Sequence, residues 1–263
     1  MDTDYAACTH LVIVCCHATY VGAPGEEYDE DAWLLQSFQR SDVSVAKPGE
    51  HVTFIFHIAA AAQLCRDQEA LLVLSGGHTS SPTLSRGRTE AGSYDLVAQA
   101  LVETGSMIKP AKRPVTEEWA TDSYQNLLFS ILKFHRMVGR YPSRVTVVTH
   151  AFKERRFLEL HAKAIKWPCS RLRVLGLNPP FTLEGLEQTQ KGEYERAYKL
   201  FAADPYGVRA PLADKRIARN WKAEIVEQAF AGVEDVAKRL LGWDGGDDGS
   251  VIFPKRLPWQ DPS

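Results

Sequence analysis

Neither sign of charge is in surplus: 31 lysines and arginines face 33 aspartates and glutamates over 263 residues, a formal net charge of −2. Without a basic excess there is no electrostatic footing for nucleic-acid binding. Cysteine is scarce, at five residues, and Cys8, Cys15, Cys16, Cys65 and Cys169 show neither zinc-ligand nor redox spacing. An odd number of thiols, two of them adjacent in an apolar run, predicts a reducing compartment rather than a disulfide framework. The opening MDTDYAACTH is acidic and lacks the basic and apolar regions of a secretory signal. The uncharged stretch His51 to Cys65 is shorter than the ~20 apolar residues that cross a bilayer. These absences predict a cytoplasmic protein with no membrane contact. No internal repeat or low-complexity segment is present, and the first strand's exit, CCHATYVGAPG, has no G-x-G-x-x-G spacing for a dinucleotide.

What the chain does have is alternation of buried-strand and helix patterns. Apolar runs at Leu11 to Cys16, Ala70 to Leu74, Arg144 to His150 and Arg171 to Leu177 read as strands, with a weaker one over Met107 to Val115. Two prolines place that weaker strand at a sheet edge. Helix-like spacing covers Ala32 to Arg40, His51 to Cys65, Thr83 to Glu103, Ser123 to Gly139 and Phe152 to Ile165. Asp122 and Ser123 are good N-cap residues for the fourth of these. The pattern predicts an α/β fold, a Rossmann-like parallel sheet with helices on both faces, over residues 1–177. Residues 178–263, helix- and turn-rich with a basic run Lys215 to Arg219, read as a helical C-terminal extension packed on the same domain.

Ligands of open parallel sheets bind beyond the carboxyl ends of the strands. Polar clusters follow three strands there: His17-Ala18-Thr19, Ser75-Gly76-Gly77-His78 and Thr149-His150. A histidine is costly to bury without a partner, so three at one sheet edge mark a candidate pocket. Glu90, Glu118, Asp122, Ser123 and Asn126 sit on the helix starts that follow, with Lys153 and Arg156 one turn apart after the His150 strand. Capping alone accounts for one of Asp122 and Ser123, whereas Asn126 is past the cap.

The segments LLVLSGG, RTEAGSY, EEWATDSYQN and VTVVTHAFKERRF, in this order, resemble the YdcF-like domain family (domain of unknown function 218) over residues 10–177. FAADPYGV with KRIARN, and the early DAWLLQSFQR, are similar to a longer fungal branch of that family. The resemblance implies a Rossmann-like domain with its site at the strand ends. Bacterial relatives are linked to envelope biogenesis and often membrane-anchored, and one member binds S-adenosylmethionine, which makes that molecule the one cofactor the resemblance suggests. This chain is expected to depart in lacking an anchor, and it departs in His150 and Lys153, where bacterial members commonly have a small residue and a histidine.

Three readings follow. In the first, the protein binds a small anionic or nucleotide-type metabolite and acts as a hydrolase or transferase. Ser75, Gly76 and Gly77 then offer backbone N–H groups to an anion, and Lys153 and Arg156 neutralise it. Glu90 or Glu118 serves as general acid or base with His150 or His17 as counterpart, and Asp122, Ser123 and Asn126 line the ligand. In the second, the domain is a non-catalytic S-adenosylmethionine or nucleotide module. In the third, His17, His78 and His150 hold a metal. Substrate, reaction class and oligomeric state are not written in these motifs.

Overall fold

The computed structural model describes residues 3–260. Its centre is a five-stranded parallel sheet of β1 (His10–Cys15), β4 (Ala70–Ser75), β5 (Val115–Glu117), β6 (Arg144–Thr149) and β7 (Leu172–Gly176), in spatial order β5-β4-β1-β6-β7. A short antiparallel pair, β2 (Thr19–Tyr20) and β3 (Trp33–Leu34), stands apart from it. Every residue of β1 and β4 is buried, as expected of central strands covered on both sides. Side chains alternate between faces. Leu11, Ile13, Leu71 and Val73 join one hydrophobic cluster, and Val12, Val14, Leu72 and Leu74 the other.

Helices α1 (His51–Leu64) and α2 (Glu90–Glu103) cover the second cluster, through Phe54, Ile58, Tyr94 and Val97. Helix α3 (Ser123–Val138) covers the first, with Leu127, Leu128, Ile131 and Phe134 inward. Asp122 caps α3 by accepting from the Gln125 N–H at 2.9 Å, and Gly139, at φ 84°, ends it. The α/β sheet with helices on both faces is therefore the fold that the strand–helix alternation predicts.

Local boundaries differ in four places. Ala32 to Arg40 forms no α-helix: Trp33 is drawn into β3, its buried indole donating to the Glu27 carbonyl at 2.9 Å. Helix α2 starts at Glu90, because Arg86 and Gly87 have positive φ and a helix does not pass through them. The edge strand is Val115–Glu117, past the prolines, and pairs with β4 alone. After β6 a 3-10 turn (Ala151–Lys153) leads into a π-helical segment (Arg156–His161) and α4 (Ala162–Ala164). The wider π turn brings residues five apart into line, so Arg156 and His161 are buried together.

Beyond β7 run α5 (Leu183–Glu193), a π segment (Tyr194–Tyr198), α6 (Lys199–Ala203), α7 (Leu212–Ala218), α8 (Ala223–Ala229) and α9 (Asp235–Leu241). Phe201, Tyr206, Leu212, Phe230, Leu240 and Trp259 from this region belong to the same cluster as α3 and the inward face of β1. The Trp259 indole also donates to the Ile165 carbonyl at 2.8 Å. No helix is long and apolar enough to cross a membrane among the described residues.

Candidate functional site

Strands β1 and β6 are neighbours, but the chain leaves β1 towards β4 and β6 towards β7. This reversal opens a crevice at their carboxyl ends. His17 follows β1 and His150 follows β6, and their rings stack with centroids 4.5 Å apart. His57 of α1, which no sequence signal marked, meets both rings edge-on, at 5.7 and 5.1 Å. Its Nε2 lies 2.9 Å from the Leu177 carbonyl, and burial pulls its pKa down to about 4. Burial, then Lys153, holds the imidazoles of His17 and His150 well below their ordinary range, so all three rings are neutral near pH 7.

Lys153 points into the crevice, with Nζ 3.2 Å from His17 Nδ1. An ammonium only donates, which makes Nδ1 the acceptor and leaves Nε2 to donate to Thr149 Oγ1 at 3.2 Å. Burial, and next the Arg156 guanidinium, brings the Lys153 pKa down to about 8. Arg156 is buried, pairs through Nη1 with Glu193 at 3.1 Å, and has an Nε without a hydrogen-bond partner. Its charge is disfavoured chiefly by burial and further by Arg219. Arg219 comes from the basic run of the extension and donates to the Thr121 carbonyl. Lys215 of the same run is held below its ordinary pKa by burial, then by Arg219 and Arg156. The extension thus adds exposed cations whose field reaches Arg156 and Glu90, a role the run's composition did not reveal. Glu90 adds a buried carboxyl, raised by burial and partly restored by a 2.5 Å hydrogen bond from Thr79, by Arg219 and by Lys153. His150 stands 3.7 Å from Glu50, beyond hydrogen-bond length.

The Ser75-Gly76-Gly77 turn does not present free donors to a ligand, contrary to the expectation from sequence. The Gly76 N–H donates to the Glu117 carbonyl at 3.0 Å and the Gly77 N–H to the Ala120 carbonyl at 2.7 Å. Their carbonyls accept from the Ala91 and Glu90 N–H groups at the start of α2, at 2.9 and 3.0 Å. A Cβ at Gly77 would lie 3.0 Å from the Ala120 oxygen, and one at Gly76 only 2.8 Å from Cys16 Cβ. The glycines leave room for the protein's own chain. The carboxylate at this junction is Glu117, the neighbour of the expected Glu118. It accepts from Ser75 Oγ at 2.6 Å and from the Trp119 and Ala120 N–H groups at 2.7 and 3.1 Å. Burial raises its pKa to about 7 against those three bonds. Asn126 donates to the Ser75 carbonyl at 2.7 Å and to its hydroxyl at 3.1 Å, so it clamps the turn.

Other expected ligands are likewise engaged. Asp122 pairs with Arg216 at 2.6 Å besides capping α3, and Ser123 Oγ lies 2.7 Å from His161 Nε2. His78 stands apart from His17 and His150. With Glu118, Lys133, Arg136 and Phe230 it lines a separate cleft of about 250 Å³ near β5. No group of three metal-binding side chains suited to one ion occurs among the described residues. A second cleft, about 220 Å³, lies between α3 and the extension. Tyr206 is one of its walls, and its hydroxyl donates to the Ala164 carbonyl at 3.0 Å.

Among known proteins, the chain is similar to the uncharacterized protein YOR238W of Saccharomyces cerevisiae, 25% identical over 309 aligned positions covering 96% of this chain and 97% of that protein. No family model matches the chain. No solved structure matches it either.

Proposed function

We propose that this is a YdcF-like protein of the cytoplasm that binds a small anionic metabolite, phosphorylated or nucleotide-type, in the crevice between β1 and β6, and acts on it as a hydrolase or transferase. The observation that carries the reading is the pair Lys153 and Arg156, two cations one turn apart, the first partly buried and the second buried; Glu193 pairs with Arg156, while Lys153 faces Glu50 and Glu90 without an ion pair to either among the described residues. Holding desolvated like charges together is costly unless an anion shares the space. Neutral His17, hydrogen-bonded to Lys153 and Thr149, is oriented to exchange a proton with a bound group, and Glu90 supplies a carboxyl of raised pKa. The charge pattern also ranks the readings. S-adenosylmethionine carries a sulfonium cation, which Lys153, Arg156 and Arg219 repel, whereas a phosphate is drawn in. A metal on His17, His78 and His150 finds less support, because His78 lines the other cleft.

Calorimetric titration with inorganic phosphate, adenosine monophosphate and S-adenosylmethionine tests this. The two phosphates are expected to bind and the sulfonium compound not to; the reverse order would overturn the reading.

A further inference from the structure

The cleft near β5 has a different electrostatic character. On one wall, Lys133 and Arg136 project from α3 at positions three apart, which share a helix face. On the other, Glu118 is pinned by two hydroxyls, from Thr116 to Oε1 at 2.8 Å and from Thr89 to Oε2 at 3.0 Å. Each carboxylate oxygen has a second lone pair to offer. Yet the opposed charges do not close on one another: neither Lys133 nor Arg136 makes an ion pair within 4.0 Å among the described residues. Lys133 is partly buried, and its ammonium is held below the ordinary range by burial, then by Arg136, with Glu117 and Glu118 pulling the other way. Trp119, 40% exposed, and Phe230, buried, add aromatic surface.

A gap between a pinned carboxylate and two cations unpaired among the described residues suits a molecule that carries both signs itself. We propose that this cleft binds a zwitterionic amino acid with an apolar side chain, its carboxylate against Lys133 and Arg136, its ammonium against Glu118 and its side chain against Trp119 and Phe230. The volume agrees. A cavity of about 150 Å³ holds a benzene ring, so about 250 Å³ accommodates such a ring plus an amino-acid head group. Glu118, whose sequence position suggested acid–base chemistry in the crevice, becomes a recognition group of this second site.

Calorimetry of the full chain with L-phenylalanine, phenylpropionate and phenethylamine dissects the two charges, with L-leucine as a second apolar side chain. The amino acids are expected to bind at least about tenfold more tightly than either analogue lacking one charge. Glu118→Gln is expected to abolish the preference over phenylpropionate, and Lys133→Gln with Arg136→Gln the preference over phenethylamine. Phenylpropionate binding as well as phenylalanine would make this an anion site and overturn the proposal. So would an absence of binding by both amino acids, which would leave a solvated cleft only. Loss of phenylalanine binding in Lys153→Met would move the ligand to the crevice and equally overturn it.

Discussion

The carboxyl ends of β4 and β5 and those of β1 and β6 are built from similar polar residues, and they have spent them differently. At the β4–β5 end, Ser75, Glu117, Asn126 and the N–H groups of Gly76 and Gly77 satisfy one another and the neighbouring loop. At the β1–β6 end, Arg156 is buried and Lys153 partly buried beside three neutral imidazoles; Arg156 pairs with Glu193, whereas Lys153 has a hydrogen bond to His17 but no ion pair among the described residues. A polar side chain after a strand therefore signals that a partner exists. Whether the partner is the protein itself or a ligand depends on what remains after the internal bonds are counted.

The largest expected effect breaks the first end. Glu117→Ala removes the acceptor of the Ser75 hydroxyl and of the Trp119 and Ala120 N–H groups, at a cost of roughly 3 kcal/mol of folding stability by urea denaturation. Glu117→Gln, which keeps an acceptor, should cost less. Phosphate affinity of the folded fraction should be preserved in both; its collapse would exchange the roles of the two ends. At the second end, Lys153→Met is expected to weaken phosphate binding about ten- to a hundredfold. Its stability should not fall, since a desolvated ammonium has been removed.

The titration of Lys153 sharpens the contrast. Its pKa falls from 10.5 to about 8 on folding. Below about 8 both states are protonated and the folded state carries the full penalty. Between about 8 and 10.5 the unfolded chain binds more protons, so this group makes stability rise with pH, and above 10.5 the penalty is gone. Binding of sulfate, whose own charge is constant over this range, should weaken as pH rises through about 8, and Lys153→Met should flatten both profiles. The smallest effect concerns the extension. Arg219 is exposed, so Arg219→Ala should weaken phosphate binding only severalfold, and less at high salt. No change at all would remove the extension from the crevice.

Particular residues show how far the sequence could be read. The uninterrupted apolar runs of β1 and β4 declare strands buried on both faces, and the runs of β6 and β7 stay legible although Thr146 and Arg173 break them. His17 and His150 are legible as a pair since both follow such runs. Glu117 and Glu118 are adjacent, and which of them turns to Ser75 depends on strand phase. Alternation from Val115, which packs against the α3-side core, is the signal that selects Glu117. His57 sits in an apolar helix pattern, where a histidine facing the sheet's carboxyl edge looks like any interior residue. Arg219 lies 63 residues beyond Arg156, and no local pattern ties them.

By itself the sequence determined the parallel sheet, its helical cover and the edge at which chemistry can occur, because period and burial are properties of short segments. Tertiary structure alone decided which donors were left over. The Gly76 and Gly77 N–H groups, open in any local view, are taken by the Glu117 and Ala120 carbonyls once β5 pairs with β4. Lys153, Arg156 and Arg219 become one electrostatic feature only when the extension folds back over the strand ends. Hydrogen-bond satisfaction and desolvation are sums over everything within a few ångströms, and that neighbourhood is assembled from distant parts of the chain.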